Sequence, residues 1–367
     1  MEKDEEYLIC NKEKILAKFV WTSRLGDILD PHIMEVVSYL PDFISRDLLS
    51  WLESRTPPKQ REHMSILLDR LGLHGTKNIL DYSKGLSLTD TLWIRKASES
   101  LKWDSINLYD NEFDEVISKI AFDGGLYGEV MSATSPEFGT NGMLAKCWVR
   151  EVEGIYLKKG GTSGARNAGF EPYSEVLSSQ ILDALMYDHI HYTCEQFRGR
   201  LVSSCKLMTS KEVSMLPIYA VCNYKSISSI LEYYERIGDI DSVLQMFVFD
   251  YLVVNSDRHA SNFAVLVDSE TFSPIKMAPI YDNGVGVLNY YMVGDDIEWY
   301  LKNYTPALYE SFEELARFAK KHLSRPHNVN RLINFQFDRT KVPGYSNEKI
   351  DYIESFIQKR VREFLSW

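Results

Sequence analysis

Asp257-Arg-His-Ala-Ser-Asn262 and, twenty residues beyond, Asp282-Asn-Gly284 are the residues of this chain best suited to chemistry. They set out, in order, an acid, an amide five residues on, and a second acid beside a glycine. Phosphoryl transfer draws on such a set: a carboxylate orients the attacking hydroxyl, and oxygen ligands hold magnesium on the moving phosphate. Magnesium prefers hard oxygen donors, which Asn262 and Asp282 carry, so neither His259 nor a cysteine is needed as a ligand. Taken singly, each aspartate is equally a turn former. The reading therefore rests on what flanks them.

Residues 241–254 are apolar at helical spacing and too apolar for a surface helix, which predicts a buried helix presenting 255–262 as a loop. Residues 263–267 predict a short strand and 275–281 a second, parted by the turn-rich stretch 268–271. Asp282 then ends a strand, and two acids on neighbouring loop ends can converge on one metal.

Upstream, 143–149 and 154–159 predict two strands joined by a tight turn near Glu153 and Gly154. The stretch 135–142 ahead of them is small and polar, so its backbone N–H groups can approach phosphate. It is not a Walker A loop, because no Gly-Lys-Ser/Thr follows at the required spacing. Lys158 and Lys159 close the second strand on opposite faces. One of them turns into a cleft and the other is expected in solvent; Lys146, on the preceding strand, is a third candidate. The glycine-rich stretch 160–169 reads either as a mobile surface loop or as a phosphate-covering one. A helix follows over 172–185, with Pro172 in its first turn and apolar residues at three and four spacing. Glu175 in that turn suits the helix dipole, or pairs with the cleft lysine.

Together, 142–148, 157–161, 171–175, 255–262 and 281–284 resemble the bacterial HipA-like serine/threonine kinases, over residues 125–365. The resemblance implies an α+β, two-lobed protein-kinase-like fold: a small, mixed, β-rich amino-terminal lobe, a mainly helical carboxy-terminal lobe, and an extra amino-terminal α/β segment. It implies ATP and Mg2+ as cofactors. Asp257 would be the catalytic acid/base, Asn262 and Asp282 the metal ligands, and Lys159 the contact to the ATP phosphates. Lys146 and Glu175 would join the ATP site, and 132–142 would be the flexible phosphate loop, with Gly139, Thr140, Asn141 and Gly142 against ATP. Ser135 and Thr140 would be the autophosphorylation candidates. The implied partners are a protein with a serine or threonine acceptor and an antitoxin. The first ~120 residues differ from the amino-terminal subdomain of the HipA toxins. The 257–262 motif also looks like the DRHxxN catalytic loop of phosphoinositide kinases. A lipid or small-molecule kinase, and a kinase-fold binding module without catalysis, are the alternatives.

Composition sets the outer bounds. At 367 residues and 45% hydrophobic the chain can bury an ample core, expected as an accessory segment 1–124, a lobe 125–210 and a lobe 211–367. No apolar run is long enough for a membrane helix, and the acidic start lacks the apolar core of a secretory signal. Five widely spaced cysteines without a C-x-x-C pair suit free thiols in a reducing cytoplasm. A net charge of −11 argues against nonspecific binding to nucleic acid or anionic membrane, although Lys158, Lys159 and Arg166 could line a local basic cleft. Near the start, 7–10 and 15–21 predict a hairpin, and 31–40, 46–52 and 59–71 short helices. Asp27, Asp30, Glu35, Asp42, Asp47 and Glu53 would meet DNA phosphate with the wrong sign, so this segment reads as a packing or partner-docking module. His32, His63 and His74 have no motif spacing and read as surface or capping residues. Stretches 308–323 and 347–365 predict amphipathic closing helices.

Overall fold

The computed structural model describes all residues except 1–4, 25–27, 126, 131, 164–168, 223, 225 and 310. The acidic start, Asp27, and the middle of the glycine-rich loop with Arg166 lie outside the described residues. The chain runs β1 (Glu6–Asn11), β2 (Lys14–Arg24), β3 (Ile28–Val36), α1 (Asp42–Ser45), α2 (Leu48–Glu53), α3 (Met64–Leu71), α4 (Gly75–Ser83), β4 (Leu92–Lys96), α5 (Glu115–Asp123), β5 (Lys146–Glu151) and β6 (Gly154–Gly160). It continues with α6 (Glu171–Leu185), β7 (Tyr192–Phe197), β8 (Arg200–Lys206), β9 (Val213–Pro217), α7 (Ile218–Val221), α8 (Ile227–Arg236) and α9 (Ile240–Val253). Then follow β10 (Ala264–Asp268), β11 (Pro274–Met277), α10 (Ile297–Asn303), α11 (Phe312–His322) and α12 (Asn347–Ser366).

These elements form two compact units: 1–157 with 207–216 and 267–273, and 158–206 with 217–266 and 274–367. That division differs from the three consecutive segments expected, and the expected lobe 125–210 is split at residue 157. Side-chain bonds over long sequence separations explain the returns to the first unit. Asn11 Nδ2 donates to the Ser269 carbonyl (2.7 Å), the Ser214 and Ser269 hydroxyls meet at 2.7 Å, and Thr209 Oγ1 donates to the Leu88 carbonyl.

The first unit is built on an antiparallel sheet in the order β3-β2-β1-β4. Lys12, with φ 48, turns the expected β1–β2 hairpin. One inner face of this sheet carries Tyr7, Ile9, Ala17 and Phe19, which close over Trp51 and Leu52 of α2. Residues 28–36 form a strand where a helix beginning at Pro31 was expected. Proline opens a helix well, but it is equally at home on a sheet edge, where its missing N–H costs no ladder bond. Here β3 is the edge and is rich in branched Ile and Val. His63 and His74 hold the N-cap positions of α3 and α4, and His32 is exposed.

In the second unit α9 is buried on nearly every face, as its composition demands, with α11, α12 and α8 packed along it. Helix α6 begins with Glu171 and Pro172 and is likewise almost wholly buried. Strands β7 and β8 form a hairpin turned at Arg198 and Gly199. The predicted closing helices are α11 and α12. The five cysteines are free, and no helix among the described residues is long and apolar enough to cross a membrane.

Candidate active site

Lys159, Glu175, Asp257, Asn262 and Asp282 all belong to the second unit. Strand alternation at the end of β6 sends the neighbouring lysines different ways. Lys158 Nζ bonds Glu195 Oε1 (2.5 Å) and Ser204 Oγ (3.0 Å) on the β7–β8 hairpin. It is 3% exposed, so the lysine expected in solvent is instead buried, because the hairpin supplies it with a carboxylate and a hydroxyl. Lys159 Nζ contacts Glu175 Oε1 at 3.1 Å and also pairs with Asp282 Oδ1. Burial opposes a charge on Lys159, but the carboxylates of Asp282 and Glu175 outweigh it and hold the amine above its ordinary range, so it stays a cation at neutral pH. Burial pushes the Glu175 carboxyl up, while Lys159 and the Asn283 N–H draw it down.

The two loops that carry the acids are fastened to one another. Helix α9 ends at Val253; the following Val254 adopts a left-handed φ of 54, and the chain turns into 255–262. Arg258, wholly buried, bonds both oxygens of Asp250 on α9 (3.0 and 3.0 Å), the Tyr281 carbonyl (2.9 Å) and Asn283 Oδ1 (2.7 Å). Tyr281 donates its hydroxyl to the Ser261 carbonyl (2.7 Å). The Asp282 N–H donates to Tyr192 Oη (3.2 Å), and the Asn283 N–H to Glu175 Oε2 (2.8 Å). Asp282 itself sits at φ 56, a left-handed conformation that a short polar side chain tolerates.

Asn262 is buried and closes a short 3-10 turn; its Nδ2 donates to the Asp257 carbonyl at 3.0 Å, which leaves Oδ1 as the atom able to face a cation. The Asp257 carboxylate is exposed, yet enough protein surrounds it that desolvation raises its pKa. His259 opposes that rise, Asp282 adds to it, and Lys159 and Arg258 oppose it. A carboxyl shifted upward is a better proton acceptor than an ordinary aspartate. The oxygens of Asn262 and Asp282 are hard donors of the kind magnesium takes.

The remaining sequence candidates lie in the first unit. Lys146 is buried and donates to the Asn141 carbonyl (2.8 Å). In the stretch expected as a flexible phosphate loop, residues 135–139 are buried and their polar groups are tied internally, while Asn141 and Gly142 are exposed. Ser135 is 2% exposed and accepts from the Glu137 N–H as the cap of a 3-10 turn at Pro136–Gly139. Thr140 Oγ1 donates to the Pro136 carbonyl (2.7 Å) and accepts from the Trp148 indole N–H (3.0 Å). Arg61 clamps the turn through Glu137 Oε2 (2.5 Å) and the carbonyls of Glu137 and Lys146 (2.6 and 2.8 Å). A Cβ on Gly139 would lie 2.5 Å from the Leu86 carbonyl, so glycine there serves packing.

Sequence reasoning passed over Asp250, Asn283 and Tyr192. A lone acid inside an apolar helix was a legible sign, since a buried carboxylate needs a partner.

No family model and no curated protein sequence matches the chain. Among solved structures it is similar to HipA of Shewanella oneidensis MR-1, from a toxin–antitoxin complex with HipB and operator DNA, at a TM-score of 0.57 and 9% identity, over 98% of both chains. It also matches the Helicobacter pylori proinflammatory kinase CtkA, at a TM-score of 0.44 and 15% identity, over 60% of this chain and 95% of that one. The HipA match reaches into the amino-terminal segment that the motifs had left outside the resemblance. The chain thus has the mixed α/β, kinase-like fold of HipA.

Proposed function

We propose that this protein is an ATP-dependent kinase that transfers phosphate to a serine or threonine hydroxyl of a protein, using a two-lobed kinase arrangement. The observation that carries the reading is Lys159 held between Glu175 and Asp282, in the unit where Arg258 ties the Asp257 loop to the Asp282 loop. Magnesium–ATP, held by the Asn262 and Asp282 oxygens and by Lys159, would supply the phosphoryl group and neutralise its developing charge. Asp257 orients the acceptor hydroxyl and takes its proton. Glu175, fully buried, keeps Lys159 in place, while the half-exposed Asp282 would share its carboxylate between Lys159 and the cation. Arg258 fixes the spacing of the two loops throughout.

Autophosphorylation at Ser135 or Thr140 would require the clamped turn to open first. The HipA structure is an assembly with HipB and DNA; for this chain we extend the partner protein, and the net charge of −11 argues against direct nucleic-acid contact.

Incubating the purified protein with magnesium and γ-labelled ATP tests the reading. Label transferred to protein, and lost in Asp257→Ala, supports it. Neither transfer nor ATP turnover above the level of Asp257→Ala would leave a kinase-fold binding module. In a bacterial host, growth arrest by the wild-type chain but not by Asp257→Ala would support a toxin role.

A further inference from the structure

We propose that Asp183, His189 and His191 form a binding site for one divalent transition-metal ion of the zinc class. Helix α6 brings Asp183 to its last turn, and the chain reverses at Met186, which has a left-handed φ of 58. It then runs extended into β7. His189 and His191 are two residues apart on that stretch and share a face; their rings lie 4.4 Å apart between centroids. Asp183 Oδ1 is 3.6 Å from His189 Nε2 and 3.5 Å from His191 Nδ1, and the three donor atoms lie within 4.8 Å of one another. Donors about 2.0–2.2 Å from a tetrahedral metal stand roughly 3.3–3.6 Å apart. Two of the three separations already match, and the exposed His191 ring can rotate to close the third.

The tautomer of His189 is the decisive detail. Its side chain is 3% exposed, and Nδ1 lies 2.8 Å from the Tyr187 carbonyl, an acceptor that requires the proton on Nδ1. The Nε2 lone pair then faces the Asp183 carboxylate. Two acceptors facing each other repel unless a cation or a donor lies between them. The Ser179 hydroxyl, 3.2 Å from Nε2, can donate to it and would give way to an ion. An imidazole whose other nitrogen donates to a backbone carbonyl is the usual outer support of a metal-bound histidine. Two nitrogens and one oxygen suit zinc, cobalt or nickel rather than magnesium, with water completing the shell.

The site is distinct from the Asn262 and Asp282 oxygens but bonded to the segment between β11 and Asp282. The Ile190 N–H donates to the Ile280 carbonyl (2.9 Å), and the Ile280 N–H to the Asp188 carbonyl (2.9 Å). An ion here would pin the end of α6 to the segment two residues ahead of Asp282.

Calorimetric titration of the full chain with zinc chloride, in excess magnesium, tests the proposal without reference to kinase activity. One zinc per chain is expected, with cobalt giving the visible absorption of a four-coordinate nitrogen–oxygen site. His191→Ala and Asp183→Asn should each weaken zinc binding by at least ~10-fold, as even the loss of an outer-shell partner does. Both side chains are substantially exposed, so these variants should fold. His322→Ala, on an exposed position of α11, should bind zinc like the wild type. Zinc should slow amide exchange in 187–191 and 278–282. Absence of saturable binding, or unchanged binding by the doubly substituted Asp183→Asn, His191→Ala chain, would overturn the site.

Discussion

The turn at 135–142 and the paired loops at 255–262 and 281–284 are each fastened by a buried arginine, and the two anchors differ in what they bind. Arg61 takes its carboxylate from the turn itself, Glu137, so the turn's polar atoms are engaged in holding it shut. Arg258 takes its carboxylate from outside the loop, Asp250 on α9, and touches the second loop through a carbonyl and an amide. The loop's own Asp257 carboxylate and the Asn262 oxygen are thereby left available. A loop keeps groups for chemistry when its anchor lies elsewhere. A loop that supplies its own anchor becomes packing.

The sharpest way to break this comparison is to remove the available groups. Asp257→Ala should lower phosphotransfer by ~10²–10⁴-fold, the range for a positioned acid/base, with an unchanged melting temperature. Asn262→Ala and Asp282→Ala should also abolish transfer, and their effects should not add, because they serve one assembly. Lys159→Met should impair ATP use severely. Lys158→Met should leave the dependence of rate on ATP nearly unchanged and act on stability alone, since its partners Glu195 and Ser204 belong to the hairpin. Wild-type transfer by Asp257→Ala would end the distinction between the loops.

Removing the anchors comes next. Arg61→Met and Arg258→Met should each cost about 3–5 kcal/mol in urea denaturation, because each leaves a buried carboxylate unpaired. They should part in function. When both variants are assayed still folded, Arg258→Met should lose transfer and Arg61→Met should retain it. Arg61→Met should also take up more phosphate at Ser135 or Thr140 than the wild type, mapped by mass spectrometry. Equal uptake would mean that the clamp does not guard those hydroxyls.

Much of this was legible beforehand. The buried α9, the strand after 255–262 and the opposed lysines follow from periodicity and alternation; the strand expected over 275–281 stops at Met277, and the Glu175 pairing was one of two readings left open. The state of 135–142 did not follow, because small polar residues compose an open phosphate loop and a closed turn equally well. Only Arg61, more than seventy residues away, decides between them. The same holds for Arg258: a motif shows its spacing, while its anchor lies on another element. Pro31 failed as a helix signal because an edge strand tolerates proline as readily.

Beyond Asp282 another buried cation holds the chain. Lys349 of α12 bonds the Leu288 carbonyl (2.8 Å) and the Tyr291 carbonyl. Burial lowers its pKa to about 8 from 10.5, with Asp295 opposing. The folded state therefore prefers the neutral amine more than the unfolded chain does. Below pH 8 both states are charged and the penalty is present in full; it is relieved as pH climbs from 8 to 10.5. The stability of wild type relative to Lys349→Met should rise across that window, by roughly 3 kcal/mol at most. A flat difference would mean that the two carbonyls fully replace water around the ammonium.

The smallest effect returns to the closed turn. Ser135 is a cap whose Oγ accepts the Glu137 N–H at 3.3 Å, so Ser135→Ala should cost about 1 kcal/mol, as the loss of a capping hydroxyl does. Transfer to an outside acceptor should be unaffected, because that hydroxyl is buried and engaged in the fold. Ser135→Asp keeps an acceptor for the N–H but sets a charge in a site that is 2% exposed, while Arg61 is already paired with the Glu137 carboxylate. It should destabilise far more than alanine, since a buried charge without its own partner is costly. If aspartate proves as mild as alanine, the turn opens readily in solution, and it then belongs with the loops that keep their groups free.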